Sequence, residues 1–290
     1  MNKEKQNKYI LIFLGPSILF VFILRIVPLF YTIGLSFTSL DLLRGIPARY
    51  IGFSNYVKMI HDPRFLHAVG VTIIFTISCT FGTLILGIVL ALCLNRQFYG
   101  QGVFRTLVLL PMFVTPIAVG TIWFIMFDDQ IGPINYILES IGLSRPNWLG
   151  SPFYPFVAIS VSDIWQWTPF VSLLVLAGLQ NVDIQLYEAA KVDGATNLKI
   201  FWQITLPMIR GVIGVTVILR SMDALRLFDK IYVLTMGGPG ISTESVNMLI
   251  YKAAFRWFQF GYSSAMVVLL LVPIAGLYWF FSRKLLQPPS

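Results

Sequence analysis

A chain of 290 residues that is 57% hydrophobic and only 12% charged, with a mean hydropathy of +0.77, lies far from the roughly 25% charged content of a soluble domain and reads as an integral membrane protein. Its net charge of +8 requires no nucleic-acid partner, because membrane proteins keep Lys and Arg in cytoplasmic loops, and no basic surface interleaved with aromatic residues is present. Cys79 and Cys93 fall on one predicted helix, about 21 Å apart by helical rise and too far to pair, and without a CxxC or a His/Cys cluster His61 and His67 read as loop or helix-start residues rather than metal ligands.

Lys3, Lys5 and Lys8 precede an apolar run over about 9–37, too long for a signal-peptide core and without a small-residue cleavage site. It reads as a first membrane span leaving the cytoplasm, bent by Pro16 and Pro28, with Arg25 snorkelling to the outer interface or else facing a cavity. Leu40 to His67 is polar and forms an outside loop. A second span over about 68–94 ends at Asn95 and Arg96, and the basic turn from Arg96 to Arg105 is placed inside by the positive-inside rule. The third span, about 106–127, carries Pro111 and Pro116, which a membrane tolerates where neighbouring helices satisfy the freed carbonyls; such a break suits a pathway-lining helix. Asp128 to Pro152 lies outside. The fourth span, about 153–179, contains Asp163, Trp165, Gln166 and Trp167, with Asp163 about 25 Å from Gln180 and so in the outer half of the membrane.

Between spans four and five, residues 183–207 include the stretch EAAKVDGATNLKIFWQITLP from Glu188 to Pro207. Glu188, Lys191, Asp193 and Lys199 exclude it as a span, yet it has helical grammar. Asp183 can cap a helix from Ile184 to Val192 that Gly194 ends, and Thr196 or Asn197 can cap a second from Leu198 towards Leu206, with Pro207 marking the next change of direction. Ala189, Ala190 and Ala195 make a small smooth surface flanked by Glu188 and Asp193, which a basic partner can hold.

The fifth span, about 208–230, ends in a ladder of Arg220, Asp223, Arg226 and Asp229 at spacings of three, so that Arg220 with Asp223 and Asp223 with Arg226 can pair along a helix. Either these charges sit self-paired at the outer interface or they face an aqueous cavity. Arg220 is only about 20 Å from Pro207 by helical rise, short of a core of about 30 Å, which favours the cavity. Gly237, Gly238, Pro239 and Gly240 lack the Lys-Ser or Lys-Thr of a phosphate-binding loop and read as a turn. Met248 to Phe260 carries Lys252 and Arg256 in a helical pattern suited to the outer interface, and a sixth span over about 262–282 ends inside at Arg283 and Lys284. The expected fold is therefore all-α, a single polytopic domain over 1–290 with six transmembrane helices, both termini cytoplasmic and a helical loop between helices 4 and 5. There is no nucleotide-binding motif, triad or metal motif, so the energy for any work must come from a partner.

The loop resembles the EAA loop of the integral-membrane subunits of binding-protein-dependent ABC importers, whose pattern is EAA, three residues, G, nine residues, I, one residue, LP. Glu188, Ala189, Ala190, Gly194, Ile204, Leu206 and Pro207 fill every slot. GPINYIL from Gly132, FDKIYVLTMGGPG from Phe228, YKAAF from Tyr251 and FGYSSA from Phe260 resemble the sugar-importing branch, maltose and glycerol-phosphate permeases among them. The resemblance implies a multi-pass permease in a prokaryotic cell membrane that moves a carbohydrate by alternating access. It implies as partners a second permease, two ATP-binding subunits carrying ATP and Mg, and an extracytoplasmic solute-binding protein, with no cofactor on this chain and surrounding membrane lipid as solvent. The loop would face the cytoplasm and dock its first helix in the ATPase: Glu188 pairs with a basic group, Ala189 and Ala190 allow close approach, Gly194 sets the angle, and Asp193 and Ala195 complete the contact. Asp163, Trp165, Arg220, Asp223 and Arg226 are the expected substrate-pathway residues. Alternatives are an ABC permease for glycerol phosphate, for which Arg220 and Arg226 are apt, an ion-coupled secondary transporter built on the charged ladder, and a membrane-embedded enzyme, for which only that ladder approaches an acid/base cluster.

Overall fold

The computed structural model describes residues 13–96 and 98–285 and is helical throughout: among the described residues there is no β-strand, only the isolated bridges Thr38 to Tyr50 and Asp41 to Ile46. The helices are α1 Phe13–Ser36, α2 Ser54–Ile60, α3 Pro63–Leu94, α4 Gln101–Phe113, α5 Pro116–Met126, α6 Pro133–Ser140, α7 Tyr154–Gln180, α8 Ile184–Val192, α9 Asn197–Met208, α10 Arg210–Ala224, α11 Asp229–Leu234, α12 Val246–Tyr251 and α13 Phe260–Leu285. By length and apolar composition α1, α3 and α7 each suffice to cross a hydrocarbon core of about 30 Å, and the bent pairs α4–α5 and α9–α10 do so as pairs; Phe260–Gly276 of α13 is apolar but shorter.

The described residues form two compact units, one of the residues before His67 with Leu249–Pro273, the other of His67–Met248 with the residues from Ile274 on. In the first unit α1 is apolar around its circumference except at the exposed Arg25. It widens into a π turn at Phe22–Ile26, just before Pro28, whose ring crowds the carbonyl a turn earlier and whose nitrogen carries no proton for it. The loop after α1 is tied by Asn55, whose Nδ2 donates to the Ser36 and Thr38 carbonyls at 2.8 and 2.9 Å. The Tyr262 hydroxyl donates to Asp62 at 2.7 Å, with the Lys58 ammonium 4.5 Å above the same ring.

The second unit is built on the crossing of α3 and α7. A Cβ at Gly82 would run into the Ile164 side chain and one at Gly87 into Val171, so both glycines exist to let the backbones approach. Gly178 likewise leaves room for Val212, whose Cγ2 lies 3.0 Å from where a Cβ would stand. Below that crossing, Ala91 and Leu94 of α3, Val171, Val175, Leu176 and Leu179 of α7, and Ile209 between α9 and α10 form a buried apolar cluster. Leu94 ends α3 with its carbonyl accepting from Gln101 Nε2 at 2.7 Å and Arg105 Nη2 at 2.9 Å, so the basic turn serves as the helix cap. Cys79 and Cys93 are free thiols, the first buried and the second exposed.

Two expectations change in this unit. Residues 106–127 are not one kinked helix but two, α4 and α5, meeting at 100°. Val114, closing α4, is already extended at ψ 136°, Thr115, before Pro116, is forced out of the helical region to ψ 143°, and Pro116 then opens α5 as its first residue. The freed Val114 carbonyl accepts from Gln166 Nε2 of α7 at 2.6 Å. Residues 208–230 are likewise interrupted. The chain bends by 69° at Ile209, two residues beyond the expected turn at Pro207, and α10 stops at Ala224, so Asp229 stands on a separate helix from Arg220 and Asp223.

Candidate functional site

The loop between α7 and α9 folds by the local rules its sequence carries. Asp183, extended at ψ 126°, accepts from the Gln185 amide at 2.9 Å and starts α8. Gly194, at φ +74°, ends it in the left-handed region, where the Gly194 amide donates to Lys191 and the Ala195 amide to Ala190 at 3.0 and 2.9 Å. Thr196 Oγ1 then accepts from the Lys199 amide at 3.4 Å to open α9. Glu188, Ala189, Asp193 and Gly194 are exposed, and Ala190 and Ala195 half-buried. Val192 is 88% exposed and Ile184 68%.

The second feature is a buried ion network joining α7, α10 and α11. Asp163, Arg220 and Lys230 are each no more than 2% exposed. Asp163 Oδ2 accepts from Arg220 Nη2, and its Oδ1 accepts from Lys230 Nζ at 2.5 Å. Arg220 divides its remaining donors between Asp223 Oδ2 at 2.8 Å and, from Nε, the Thr83 hydroxyl of α3 at 3.4 Å, while its guanidinium lies 5.7 Å from the Trp167 ring centre. Asp163 therefore bridges two cations, and Asp223, whose side chain is 41% exposed, supplies the second negative charge. A cavity of about 60 Å³ opens beside them, bounded by Pro116, Asp163, Trp167, Asp223, Arg226 and Lys230.

Of the residues expected to line a pathway, Asp163, Arg220 and Asp223 come together. Trp165 does not: it points towards Trp123, edge to face at 5.8 Å, in an apolar groove of about 640 Å³. Arg226 reaches the small cavity but turns its Nε to the Met222 carbonyl at 3.3 Å rather than pairing with Asp223. Lys230 and Trp167 belong to the network although the sequence reading named neither as a site residue. Lys230 was signalled by directly following Asp229 at the end of the charged ladder, ten residues beyond Arg220, and Trp167 by lying one helical turn from Asp163.

This architecture, an exposed helical hairpin between long apolar helices, is matched at the level of family. Residues 83–285 fit the model of the binding-protein-dependent transport system inner membrane component. The chain belongs to this family. It is 39% identical over 271 residues to the trehalose/maltose transport system permease protein MalF of Thermococcus litoralis, across 93% of this chain and 90% of that one. It is 36% identical over 257 residues to the sulfoquinovosyl glycerol transport system permease protein SmoG of Agrobacterium fabrum, across 89% and 83%. Its fold superposes with a TM-score of 0.82 and 26% identity on a chain of a bacterial alginate ABC transporter solved in complex with an alginate pentasaccharide-bound periplasmic protein, covering 99% of this chain and 98% of that one. This binding-protein-dependent permease is thus a membrane-embedded transport component whose ATPase is a separate subunit. The ion-coupled reading of the charged ladder is set aside.

Proposed function

We propose that this chain is one permease subunit of an ATP-driven carbohydrate importer working by alternating access. The observation that carries the reading is the exposed hairpin of α8 and α9 with Glu188 and Ala189 on its surface, in a family whose similar members are named for trehalose and maltose, sulfoquinovosyl glycerol and alginate. The partners are a second permease, two ATP-binding subunits holding ATP and Mg, and an extracytoplasmic solute-binding protein, the last of which has a counterpart in the periplasmic protein of the alginate complex. In this arrangement α1, α3, α4–α5, α7, α9–α10 and α13 are six spans, both termini are cytoplasmic, and α8 inserts into the ATPase.

The chain's own residues then divide the work. Glu188 pairs with a basic group of the ATPase, Ala189 and Ala190 admit close contact, and Gly194 fixes the angle at which α9 leaves, with Asp193 and Ala195 at the edge of the contact. When the ATPase dimer closes, α8 moves as a rigid body with α9 behind it. On the substrate side Asp163 and Arg220 have their polar atoms engaged with each other, Lys230 and Thr83, and they act as the clamp that holds α7, α10 and α11. Asp223 and Arg226 keep exposed surface, and with Trp167 they offer planar polar groups and an aromatic face, the combination that suits a sugar.

The test is ATPase activity of the assembled complex in membranes, wild type against Glu188→Ala, with candidate sugars presented on the binding protein. Sugar-stimulated hydrolysis that the substitution abolishes supports both importer and coupling roles. Stimulation by glycerol phosphate and by no sugar would replace the carbohydrate, and full stimulation in Glu188→Ala would remove the coupling role.

A further inference from the structure

Between the end of α3 and the hairpin of α8 and α9 the second unit holds a groove of about 610 Å³ that the transport reading leaves unused. Its wall mixes apolar, basic and uncharged polar side chains, the last being Asn95, Asn197 and Thr205. Leu92 of α3, Leu179 of α7 and Phe201 of α9 make an apolar floor, and Arg96, Tyr187 and Lys191 stand at its rim. Both cations are exposed, and among the described residues neither has a carboxylate partner. Arg96 lies two residues beyond the end of α3, a helix long and apolar enough to span, so the rim lies where hydrocarbon gives way to headgroups.

We infer that this groove binds an anionic phospholipid, its phosphate held between Arg96 and Lys191 and the first carbons of an acyl chain laid on Leu92, Leu179 and Phe201. Two uncompensated cations at the membrane surface attract a phosphate, Tyr187 adds a hydroxyl donor, and basic pockets between spanning helices take headgroups of this kind. A free phosphate would have no use for the apolar floor. The face of α8 that is used also matters. Tyr187 and Lys191, four residues apart, share one side of the helix, Gln185, Ala189 and Val192 lie on the opposite side, where Val192 is 88% exposed, and Glu188 and Ala190 stand on the two flanks between them. A lipid in the groove and a protein partner on the opposite side of α8 can therefore be present together, which makes the lipid composition of the leaflet an input to the coupling segment. The inference does not depend on the identity of the transported solute.

The full chain, purified in detergent, is titrated with dioleoylphosphatidylglycerol or dioleoylphosphatidylcholine and bound lipid is counted by native mass spectrometry. Wild type should retain phosphatidylglycerol over phosphatidylcholine. Arg96→Gln with Lys191→Gln should weaken phosphatidylglycerol binding about 25-fold, roughly fivefold for each cation at a lipid surface, while Arg96→Lys with Lys191→Arg keeps it. Unchanged binding in the glutamine pair, equal retention of phosphatidylcholine by wild type, or loss of binding in the charge-keeping pair at unchanged helical circular dichroism would overturn the site. Displacement by excess glycerol 3-phosphate would assign it to a free phosphate instead, and displacement on adding the ATPase subunits would assign it to the ATPase; either result overturns the lipid.

Discussion

Replacing Asp163 by Asn should damage this protein more than replacing Lys230 by Met, and combining the two should restore part of the loss. Asp163 is the carboxylate between Arg220 and Lys230, all three within 2% of complete burial. Without its charge two buried cations are left about 5 Å apart, a repulsion of about 3 kcal/mol at an effective dielectric constant of about 20. That agrees with the roughly 3–5 kcal/mol found when a buried ion pair loses one partner. Lys230→Met leaves Asp163 still paired with Arg220, and the excess negative charge then rests on Asp223, which has water to screen it; the cost is that of one charged hydrogen bond, about 1.5–3 kcal/mol. In the double variant Arg220 keeps Asp223 as its counter-ion and the repulsion is gone, so it should be more stable than Asp163→Asn alone. Cys79, free and buried, supplies the assay: in a Cys93→Ser background its reaction with a fluorogenic maleimide on heating reports unfolding. At about 2–4 °C per kcal/mol, Asp163→Asn should lower the midpoint by about 10 °C, and adding Lys230→Met should recover several degrees. A double variant no more stable than Asp163→Asn, or a Lys230→Met that is the worse single change, would refute the charge bookkeeping of the network.

Ala189→Trp should leave the spans folded but separate ATP hydrolysis from transport in the assembled complex, because a bulky ring on α8 prevents its seating in a partner; full transport would end that assignment. Gln166→Leu deletes the donor that satisfies the Val114 carbonyl, at a cost of about 1–3 kcal/mol partly offset by removal of the buried and unpartnered Gln166 Oε1. A net fall of about 1 kcal/mol in the same thiol melt is expected, and an unchanged midpoint would deny Gln166 its part in holding the 100° break. In the loop after α5, amides of Ile131 and Gln130 donate to Asp128 and depress its carboxyl below the ordinary 3.8, so its support of the turn is complete above that value and is lost as pH falls through the lower folded value. Carbon-13 shifts of the Asp128 carboxyl should titrate with a midpoint below 3.8; a midpoint at or above it would contradict the turn geometry.

Legibility in the sequence followed the range of the forces. Asp183, Gly194 and Thr196 act on amides within three residues, so both ends of α8 and the start of α9 could be read without any tertiary knowledge. Pro111 and Pro116 announced a break, but its angle of 100° depends on Gln166, 52 residues from the carbonyl it caps. Arg220, Asp223, Arg226 and Asp229 looked like one ladder because the chain was read as one helix; ending α10 at Ala224 left Arg226 between helices and carried Lys230, on α11, to Asp163. Trp165 and Trp167 differ by two positions, hence by about 200° around α7, and only the neighbours reveal that Trp167 meets the guanidinium while Trp165 meets Trp123.

The apolar cluster at the foot of α3 and α7 has a mechanical meaning. Leu94, Leu179 and Ile209 meet in it, and they belong to the end of α3, the end of α7 and the joint between α9 and α10. The hairpin of α8 and α9 thus leaves α7 by the short turn 181–183, whose Val182 packs on this cluster, and enters α10 through it at Ile209. Close-packed interiors have low compressibility. If a partner loads α8, these roots of the hairpin would pass the displacement on to α10 about Ile209 and to α3 through Leu94, as a stiff joint rather than a spring.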